Sequence, residues 1–309
     1  MKDYIVRAAA KDGSVRAFCA VTTNLVNRAQ KIHSLYPVAS AALGRLLTAS
    51  AMMGAMLKSE DDLLTVQITG NGPIGRVLAT ADCHSNVKGY VGNPKVVLPK
   101  NDKGKLDVGG AVGTDGFLTV IRDFGLKEPY VGKVPLVSGE IGDDLTSYFA
   151  VSEQIPSVVG LGVLVDVDLS VKAAGGFIVQ VMPEATDETI TRLEENVKKI
   201  TSVTKMLEDN MLPEDILKCA LDGIDFEITD KTDTKYYCNC SRDRVEKALV
   251  SLGKSELEDI IKKDKKAEIM CHFCDKVYNF DENDLKILLE NAENNKKKIL
   301  KKLKKSIDK

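Results

Sequence analysis

Four cysteines in the C-terminal part of the chain restrict its possible structures more than any other feature. They form two closely spaced pairs, Cys238-Asn239-Cys240 and Cys271-His272-Phe273-Cys274, with thirty residues between the pairs. Four thiolates brought to one point satisfy the tetrahedral preference of Zn²⁺, so the spacing predicts a small segment folded around one metal ion. Each pair is also close enough in sequence to form a disulfide, which cannot hold the metal. The same atoms therefore suit either a structural site or a redox switch.

The expected ligands are the four clustered sulfurs, with one Zn²⁺ per chain. His272 lies inside the second pair, but four thiolates already complete a tetrahedron, so the ligands are predicted to be Cys238, Cys240, Cys271 and Cys274. The other cysteines are isolated in sequence and are predicted to be buried as small apolar side chains; they are Cys19, Cys83 and Cys219.

Composition restricts the class of protein and the cellular compartment in which we expect it. A chain of 309 residues suggests one large domain and a smaller one. Its net charge of −2 argues against a nucleic-acid-binding face. The N-terminus carries charges at Lys2 and Asp3 and has no apolar stretch of the kind found in secretory signals, so we expect a cytoplasmic protein. In that reducing compartment, clustered cysteines indicate metal or redox chemistry rather than structural disulfides.

The most apolar segment, Val38–Leu57, raises the question of a membrane span. Arg45 interrupts it, and most of its other residues are small, so the segment is predicted to be a helix buried in a protein core. We expect no membrane partner.

Residues 1–183 are predicted to form an α+β core domain with mostly antiparallel strands, because strands outnumber crossover helices. A hairpin is expected at the start, short strands between Leu63 and Val137, and a helix over Gly139–Gln154. Two further strands, Val158–Asp168 and Phe177–Met182, are expected on either side of Ala173–Gly176. The segment Gly70–Gly75 matches a dinucleotide-binding fingerprint, but the next residues have a strand pattern, so a glycine-rich hairpin is predicted.

Residues 184–230 are predicted to be an amphipathic helical linker. Thr186 can cap a helix, and Pro213 can begin a second that ends near Leu221. Apolar residues with helical spacing form a stripe on one side of the linker, and Glu and Lys residues lie on the opposite side. The stripe contains Ile190, Leu193, Val197, Ile200 and Leu207. The linker is expected to pack on the core through this stripe.

Residues 231–309 are predicted to be the zinc-binding domain with a lysine-rich tail. Ser241 can cap one helix, Ser255–Glu258 has the pattern of a capping box, and Asp281 can cap the last helix. Short strands are expected on both sides of the second cysteine pair. The tail, 296–309, contains eight lysines and suits either a solvated helix end or a contact with nucleic acid or a client protein. A segment this small and charged should depend on its metal, because structural zinc contributes about 10–16 kcal/mol of folding free energy in small peptides.

The cysteine spacing, followed by Tyr278-Asn279-Phe280, resembles the redox-switch domain of the 33 kDa heat-shock chaperonin family. Other segments are similar to that family's core: Gly70–Pro73, Gly109-Gly110 with Gly113, and Ser152–Ser157. The resemblance implies a non-enzymatic, ATP-independent holdase that is inactive when reduced and zinc-bound. It also implies that oxidation releases zinc, exposes linker surface, and leads to a homodimer that binds unfolding proteins and hands them to ATP-dependent chaperones.

Four cysteines allow three disulfide connectivities. Sequence proximity favours the local pairs Cys238–Cys240 and Cys271–Cys274. The second should form first, because a ring with one intervening residue is more strained than a ring with two.

Two other functions are compatible with clustered cysteines. A zinc-ribbon nucleic-acid-binding protein would need a basic face, whereas residues 231–295 contain twelve Lys and Arg against fourteen Asp and Glu. A thiol oxidoreductase would carry its Cys-x-x-Cys at a helix start in a βαβ unit, whereas here short strands flank it.

Overall fold

The computed structural model describes residues 2–200 and 202–291. The chain divides into two compact units, with the boundary between Tyr237 and Cys238. The division at residues 183 and 230 made from the sequence stays a prediction.

The described part of the first unit is built from two sheets and a set of helices. Its strands are β1 (Tyr4–Ala10), β2 (Val15–Val21), β3 (Leu63–Thr69), β4 (Arg76–Asp82), β5 (Asn86–Val91), β6 (Phe117–Asp123), β7 (Tyr130–Pro135), β8 (Ser157–Val165), β9 (Val171–Val181), β10 (Phe226–Asp233) and β11 (Lys235–Tyr236). Its helices are α1 (Thr23–His33), α2 (Pro37–Gly54), α3 (Val108–Val112), α4 (Gly142–Val151), α5 (Asp187–Lys199), α6 (Val203–Glu208) and α7 (Pro213–Ala220).

The first sheet has the strand order β10-β1-β2-β9-β8, and the second has the order β11-β5-β4-β3-β6-β7. Every neighbouring pair in them is antiparallel except β11 with β5. The predicted α+β fold with mostly antiparallel strands is therefore confirmed.

Helix α2 lies between the two sheets and contacts strands of both. Pro37 occupies its first turn, where a missing amide proton costs nothing. Small residues let α1 and the first sheet approach this helix closely: a Cβ on Gly44 would lie 2.6 Å from Val26 Cγ1 and 2.9 Å from Val163 Cγ2. Arg45 is the one residue after Pro37 in this helix that is not buried. The prediction of a buried helix is confirmed, and no helix in the described part of the chain has the length and hydropathy of a membrane span.

The glycine-rich segments have two different structural roles. Gly70–Gly75 connects the antiparallel strands β3 and β4, as predicted. The expected break at Ala173–Gly176 is wrong, because these residues lie inside β9. Glycine is needed there for close approach: a Cβ on Gly175 would lie 2.5 Å from the carbonyl oxygen of Ala20, and one on Gly176 would lie 2.6 Å from that of Gly160.

The predicted linker contains three helices, which pack on the outer face of the first sheet. Thr186 caps α5 by accepting a hydrogen bond from the Thr189 amide, as expected. The single long stripe is wrong in detail, because α5 ends at Lys199 and α6 is a separate short helix. Buried linker side chains form one cluster with Val6, Cys19 and other residues of the sheet; they are Leu193, Val203, Ile216, Leu217, Ala220 and Leu221.

The chain then returns to the sheet. β10 pairs with β1 along its whole length, from Tyr4 opposite Asp233 to Ala10 opposite Phe226. The boundary predicted at residue 230 falls inside this segment. The pairing shows that the whole segment is an edge strand of the first sheet. A strand with this many charges shows little apolar alternation, which is why its pattern went unrecognised.

In the second unit, α8 (Arg242–Ser251) and α9 (Lys254–Lys263) precede the hairpin of β12 (Lys266–Met270) and β13 (Val277–Asp281), and residues 282–291 form a further helix, α10. Its buried core is small and contains Leu249, Leu257, Tyr278, Phe280, Leu285 and Leu288. The lysine-rich tail lies outside the described residues.

Two of the three helix starts predicted for the second unit are confirmed. Ser241 caps α8 through the Arg244 amide, and Asp281 caps α10 through the Asp284 amide at 2.8 Å. The capping box at Ser255–Glu258 is wrong: the cap lies two residues earlier, at Gly253, which makes no side-chain hydrogen bond, and α9 begins at Lys254.

Glu214 joins the linker to the sheet through hydrogen bonds. Its carboxylate, in the first turn of α7, accepts from the Tyr4 hydroxyl at 2.8 Å and from Lys231 Nζ at 2.9 Å. Burial acts to raise the pKa of Glu214, but the hydrogen bonds from Lys231 and Tyr4 outweigh it and hold that pKa below its usual value. The ionised carboxylate therefore stabilises the docking of α7.

We predict that Glu214→Gln lowers the stability of the first unit by about 1.5 kcal/mol at pH 7, the lower end of the usual contribution of hydrogen bonds to a charged group, because this carboxylate is only partly buried. Because the folded-state pKa is depressed, the contribution is complete above the unfolded pKa of about 4.3 and is lost as the pH falls through the folded value. Denaturant unfolding at pH 7 and at about pH 3 measures it. Glu195→Gln, the same change at an exposed position of α5, is the control. A difference between Glu214→Gln and wild type that persists at low pH would contradict this account.

Candidate metal centre

Two local structures position the four cysteines. Cys238 and Cys240 lie in extended chain just before the Ser241 cap of α8, and Cys271 and Cys274 lie in the turn between β12 and β13. The Cys271 amide donates to the Lys276 carbonyl at 3.0 Å, and the amides of Cys274 and Asp275 donate to the Cys271 carbonyl at 3.2 and 2.8 Å. These bonds close a tight knuckle that points both sulfurs of the second pair to one side.

The structure brings the predicted site residues together. All four Sγ atoms lie within 4.8 Å of one another. The Cys238 and Cys271 sulfurs are 3.7 Å apart, and the Cys240 and Cys274 sulfurs are 3.3 Å apart. A tetrahedron with metal–sulfur bonds of about 2.3 Å has edges of about 3.8 Å, so the donor set fits a four-coordinate thiolate site. The four clustered cysteines can hold a metal ion.

These distances do not select a disulfide connectivity. The two short distances join one cysteine of each pair, but any two ligands of a tetrahedral site lie at a similar separation. The local pairing therefore stays a prediction.

Tyr278 is a residue of the site that the sequence reasoning missed. Its hydroxyl donates to Cys240 Sγ at 3.1 Å, and its ring lies in the small core beside Phe280. Its position in β13 carried a usable signal, because strand alternation turns Tyr278 and Phe280 to the same buried face just after the second cysteine pair.

The thiols differ in acidity. Burial raises the pKa of Cys240, but the hydrogen bond from Tyr278 and those from the neighbouring cysteines outweigh it and lower that pKa to about 7. Burial raises the pKa of Cys238, and burial together with hydrogen bonding to Cys240 raises the pKa of Cys274. Without a metal, Cys240 is therefore the thiol that ionises first among these three.

The cysteines outside this cluster differ in exposure. Cys19 is buried as expected, and burial raises its pKa. The same expectation is wrong for Cys219, which is exposed, and for Cys83, which is partly exposed. Cys219 lies on the outer face of α7, because Ile216, Leu217 and Ala220 form the face that packs on the sheet. His272 is exposed and is not one of the four clustered donors.

Comparison with known proteins agrees with this geometry. The family model described as "Hsp33 protein" matches residues 3–281. The chain belongs to the Hsp33 family. A 33 kDa chaperonin of Clostridioides difficile strain 630 is 53% identical over 290 residues, which cover 94% of this chain and 99% of that protein. The 33 kDa chaperonin of Clostridium beijerinckii is 51% identical over 292 residues, 94% of this chain and all of its relative.

A solved structure supports the fold. The crystal structure of the 33 kDa chaperonin (heat shock protein 33 homolog) from Thermotoga maritima superposes with a TM-score of 0.86 at 41% identity, covering 95% of this chain and 100% of that one. Membership of the Hsp33 family supports a chaperone role and does not favour the zinc-ribbon nucleic-acid-binding alternative. The relatives are named chaperonins.

We predict that Tyr278→Phe weakens metal retention about tenfold, because a hydrogen bond to a ligand sulfur orients it and partly neutralises its charge, and loss of such partners typically costs 10–100-fold in affinity. Competition of the reduced, metal-loaded protein with a coloured chelator measures the change. Tyr237→Phe removes a hydroxyl from an exposed tyrosine and is the matched control. Equal retention by both variants would show that the Tyr278 hydroxyl has no influence on the metal.

Proposed function

We propose that this Hsp33-family protein is a redox-regulated, ATP-independent holdase. In the proposal, the reduced, zinc-bound form is inactive, and oxidation forms two disulfides, releases zinc and activates the binding of unfolding proteins. The observation that carries it is the four-sulfur cluster, because it lies in a unit whose own described core contains only six buried apolar side chains.

We assign the metal as Zn²⁺, one per chain, held by Cys238, Cys240, Cys271 and Cys274. Four thiolates are the donor set of structural zinc sites. When bound, the ion supplies a cross-link between the chain before α8 and the β12–β13 turn and keeps the sulfurs deprotonated. Since the rest of the unit provides little apolar burial, its fold should depend on this cross-link.

Oxidation consumes the ligands. The thiolate of one cysteine attacks a peroxide, which releases hydroxide or water and leaves a sulfenic acid; the neighbouring thiol displaces water from it and forms the disulfide. Each disulfide takes two electrons from the protein and reduces one peroxide. We propose the pairs Cys238–Cys240 and Cys271–Cys274, because the members of each pair stay neighbours once the site opens, whereas the pairs are separated by thirty residues of chain.

The linker, 184–230, is the proposed regulated segment. Its helices cover an apolar face of the first sheet, so their loosening would expose both that face and their own stripe. Along the chain, β10 and β11 connect them directly to Cys238. Unfolding of the second unit removes a folded anchor from this segment and so favours its loosening.

Further parts of the proposal follow from the resemblance to the Hsp33 family. They are a cytoplasmic location, a homodimer in the oxidised state, and transfer of bound clients to ATP-dependent chaperones. The domain division at residues 183 and 230 belongs to the same proposal.

We predict one Zn²⁺ per reduced chain, and less than a tenth of that in the double variant Cys240→Ser, Cys274→Ser, since two remaining thiolates do not form a closed site. Elemental analysis after gel filtration measures it. The matched control is Cys83→Ser, Cys219→Ser, which removes two thiols outside the cluster and should keep the full metal content. A metal-free reduced wild type would refute the zinc assignment.

We predict that hydrogen peroxide converts the protein from inert to protective without ATP. Light scattering of a thermally unfolding client, recorded with reduced and with oxidised protein, measures the change. Scattering should fall several-fold only with the oxidised form, because only that form exposes the sheet face under the linker.

Peptide mapping of the same samples tests the disulfides. Local pairs should account for most of the oxidised protein, with Cys271–Cys274 present earlier in the time course. Equal protection by reduced and oxidised protein would make the cluster a permanent structural site, and dominant cross-pairs such as Cys240–Cys274 would refute the pairing alone.

A further inference from the structure

The two sheets of the first unit have four edges, and three of them resist the addition of another strand. β10 carries four charged side chains, β7 contains Lys133 and ends in Pro135, and β11 is only two residues long. Charged residues, proline and short length are the usual protections of sheet edges. β8 has none of them: Ser157–Val165 is nine residues long, with no charge and no proline.

The backbone groups on the outer side of β8 can be identified from their neighbours. The Val159 amide donates to Thr146 Oγ1 on α4 at 3.3 Å, so the backbone of Val159 faces away from β9. On β9, Ala174 lies opposite Val163 and uses its amide and carbonyl for Thr23 and Thr22, on the side of β9 away from β8. The amide and carbonyl of Val163 therefore also point outward. Backbone direction repeats every two residues along a strand, so the amide and carbonyl of Leu161 point outward as well.

Helix α4 covers the Val159 end of this edge, whereas the outward groups of Leu161 and Val163 have no hydrogen-bond partner among the described residues. They line a groove of about 480 Å³. Groups of this kind, arranged along an extended strand, are best satisfied by the backbone of another extended segment.

The walls of the groove show which segment fits. One wall belongs to the linker, which packs closely against β8: a Cβ on Gly162 of β8 would lie 2.7 Å from Thr204 Cγ2 of the linker. The opposite wall contains Arg45, Lys100 and Lys105, and no described lining residue is acidic. Arg45 has Glu140 as its partner, whereas Lys100 and Lys105 form no ion pair with another described residue. The groove thus combines an apolar strand edge with unneutralised positive charge.

We propose that the outer edge of β8 binds an extended, mainly apolar segment of an unfolding protein, with an acidic residue beside it, as an added strand. The proposal rests on the proposed holdase function and names where one client segment binds. Backbone hydrogen bonds do not depend on the client's sequence, which suits a chaperone with many clients. The charge disfavours a second copy of this chain, because symmetric pairing through β8 would bring two cationic walls to one interface. Loosening of the linker removes the Thr204 wall, so the oxidised form should bind the segment more tightly.

The direct test is residue-resolved hydrogen exchange on the oxidised full-length protein. The probe is a synthetic ten-residue peptide of alternating valine and threonine with a glutamate at each end. Amide exchange at Leu161 and Val163 should slow at least tenfold when the peptide binds. Exchange at Gly160 and Gly162 should change little, because their amides already face β9. The same peptide with lysine at both ends should bind more weakly.

Two pairs of variants separate the backbone from the side chain. Val163→Pro and Leu161→Pro remove an outward amide that the β8–β9 ladder does not use. Val163→Ala and Leu161→Ala remove side-chain atoms and keep the amide. The proline variants should bind the peptide at least tenfold more weakly than their alanine counterparts, with zinc content and circular dichroism in the reduced state as folding controls.

The outcomes distinguish this proposal from the holdase function. If the oxidised protein suppresses aggregation while exchange at Leu161 and Val163 stays unchanged with peptide and with client, the edge proposal is refuted and the holdase function stands. If the peptide protects these amides but no redox state suppresses aggregation, the edge proposal stands and the holdase function is refuted. If protection rises with protein concentration in the absence of peptide, the occupant is a second copy, which overturns the proposal.

Discussion

Four sulfur atoms converge in the second unit, and the fold of this unit should depend on them. Its described buried core contains six apolar side chains, and its helices carry many exposed charges. Burial of about 25 cal/mol per Å² cannot offset the conformational entropy of ordering some fifty residues around so small a core. A metal cross-link can make up this deficit. A fold that is stable only with its ligands intact would also be one that ligand chemistry can switch, as the proposed function requires.

The sequence predicted the site more completely than the fold around it. Cysteine spacing is a local signal, and it specified all four donors that the structure brings within 4.8 Å. Tyr278 was missed because its role depends on a tertiary contact, the hydrogen bond to Cys240. The breaks in the linker were missed for a similar reason: helical periodicity continues from Val197 to Leu207, and only packing on the sheet shows that α6 is separate from α5. Strand β10 was missed because its residues are mostly exposed on both faces, so it has no apolar alternation to detect.

Two local predictions were wrong where the sequence is compatible with more than one structure. Ser255 and the glutamates after it are compatible with a helix start, but α9 begins at Lys254, where Gly253 supplies a left-handed turn with a φ of 98°. The pair Gly175 and Gly176 is compatible with a turn, but the close approach of Ala20 and Gly160 requires glycine inside a strand. At Gly175 and Gly176 propensity allowed two structures and a non-local contact selected one.

The linker is held by contacts that are individually weak. Its ion pairs join exposed side chains, such as Arg192 with Glu188 and Lys205 with Asp209, and contribute little to stability. Helices as short as α6 and α7 are not stable alone, so their structure depends on the face they share with the sheet. Between α5 and α7, Asn196 donates to the Asp222 carbonyl at 2.8 Å, which ties the helices to each other as well as to the sheet. Such a segment should loosen as a unit, because losing one tertiary contact removes the support of the others. Its release would uncover the sheet face and the β8 edge together, so an apolar surface and a row of backbone donors and acceptors would become available to a client in one step.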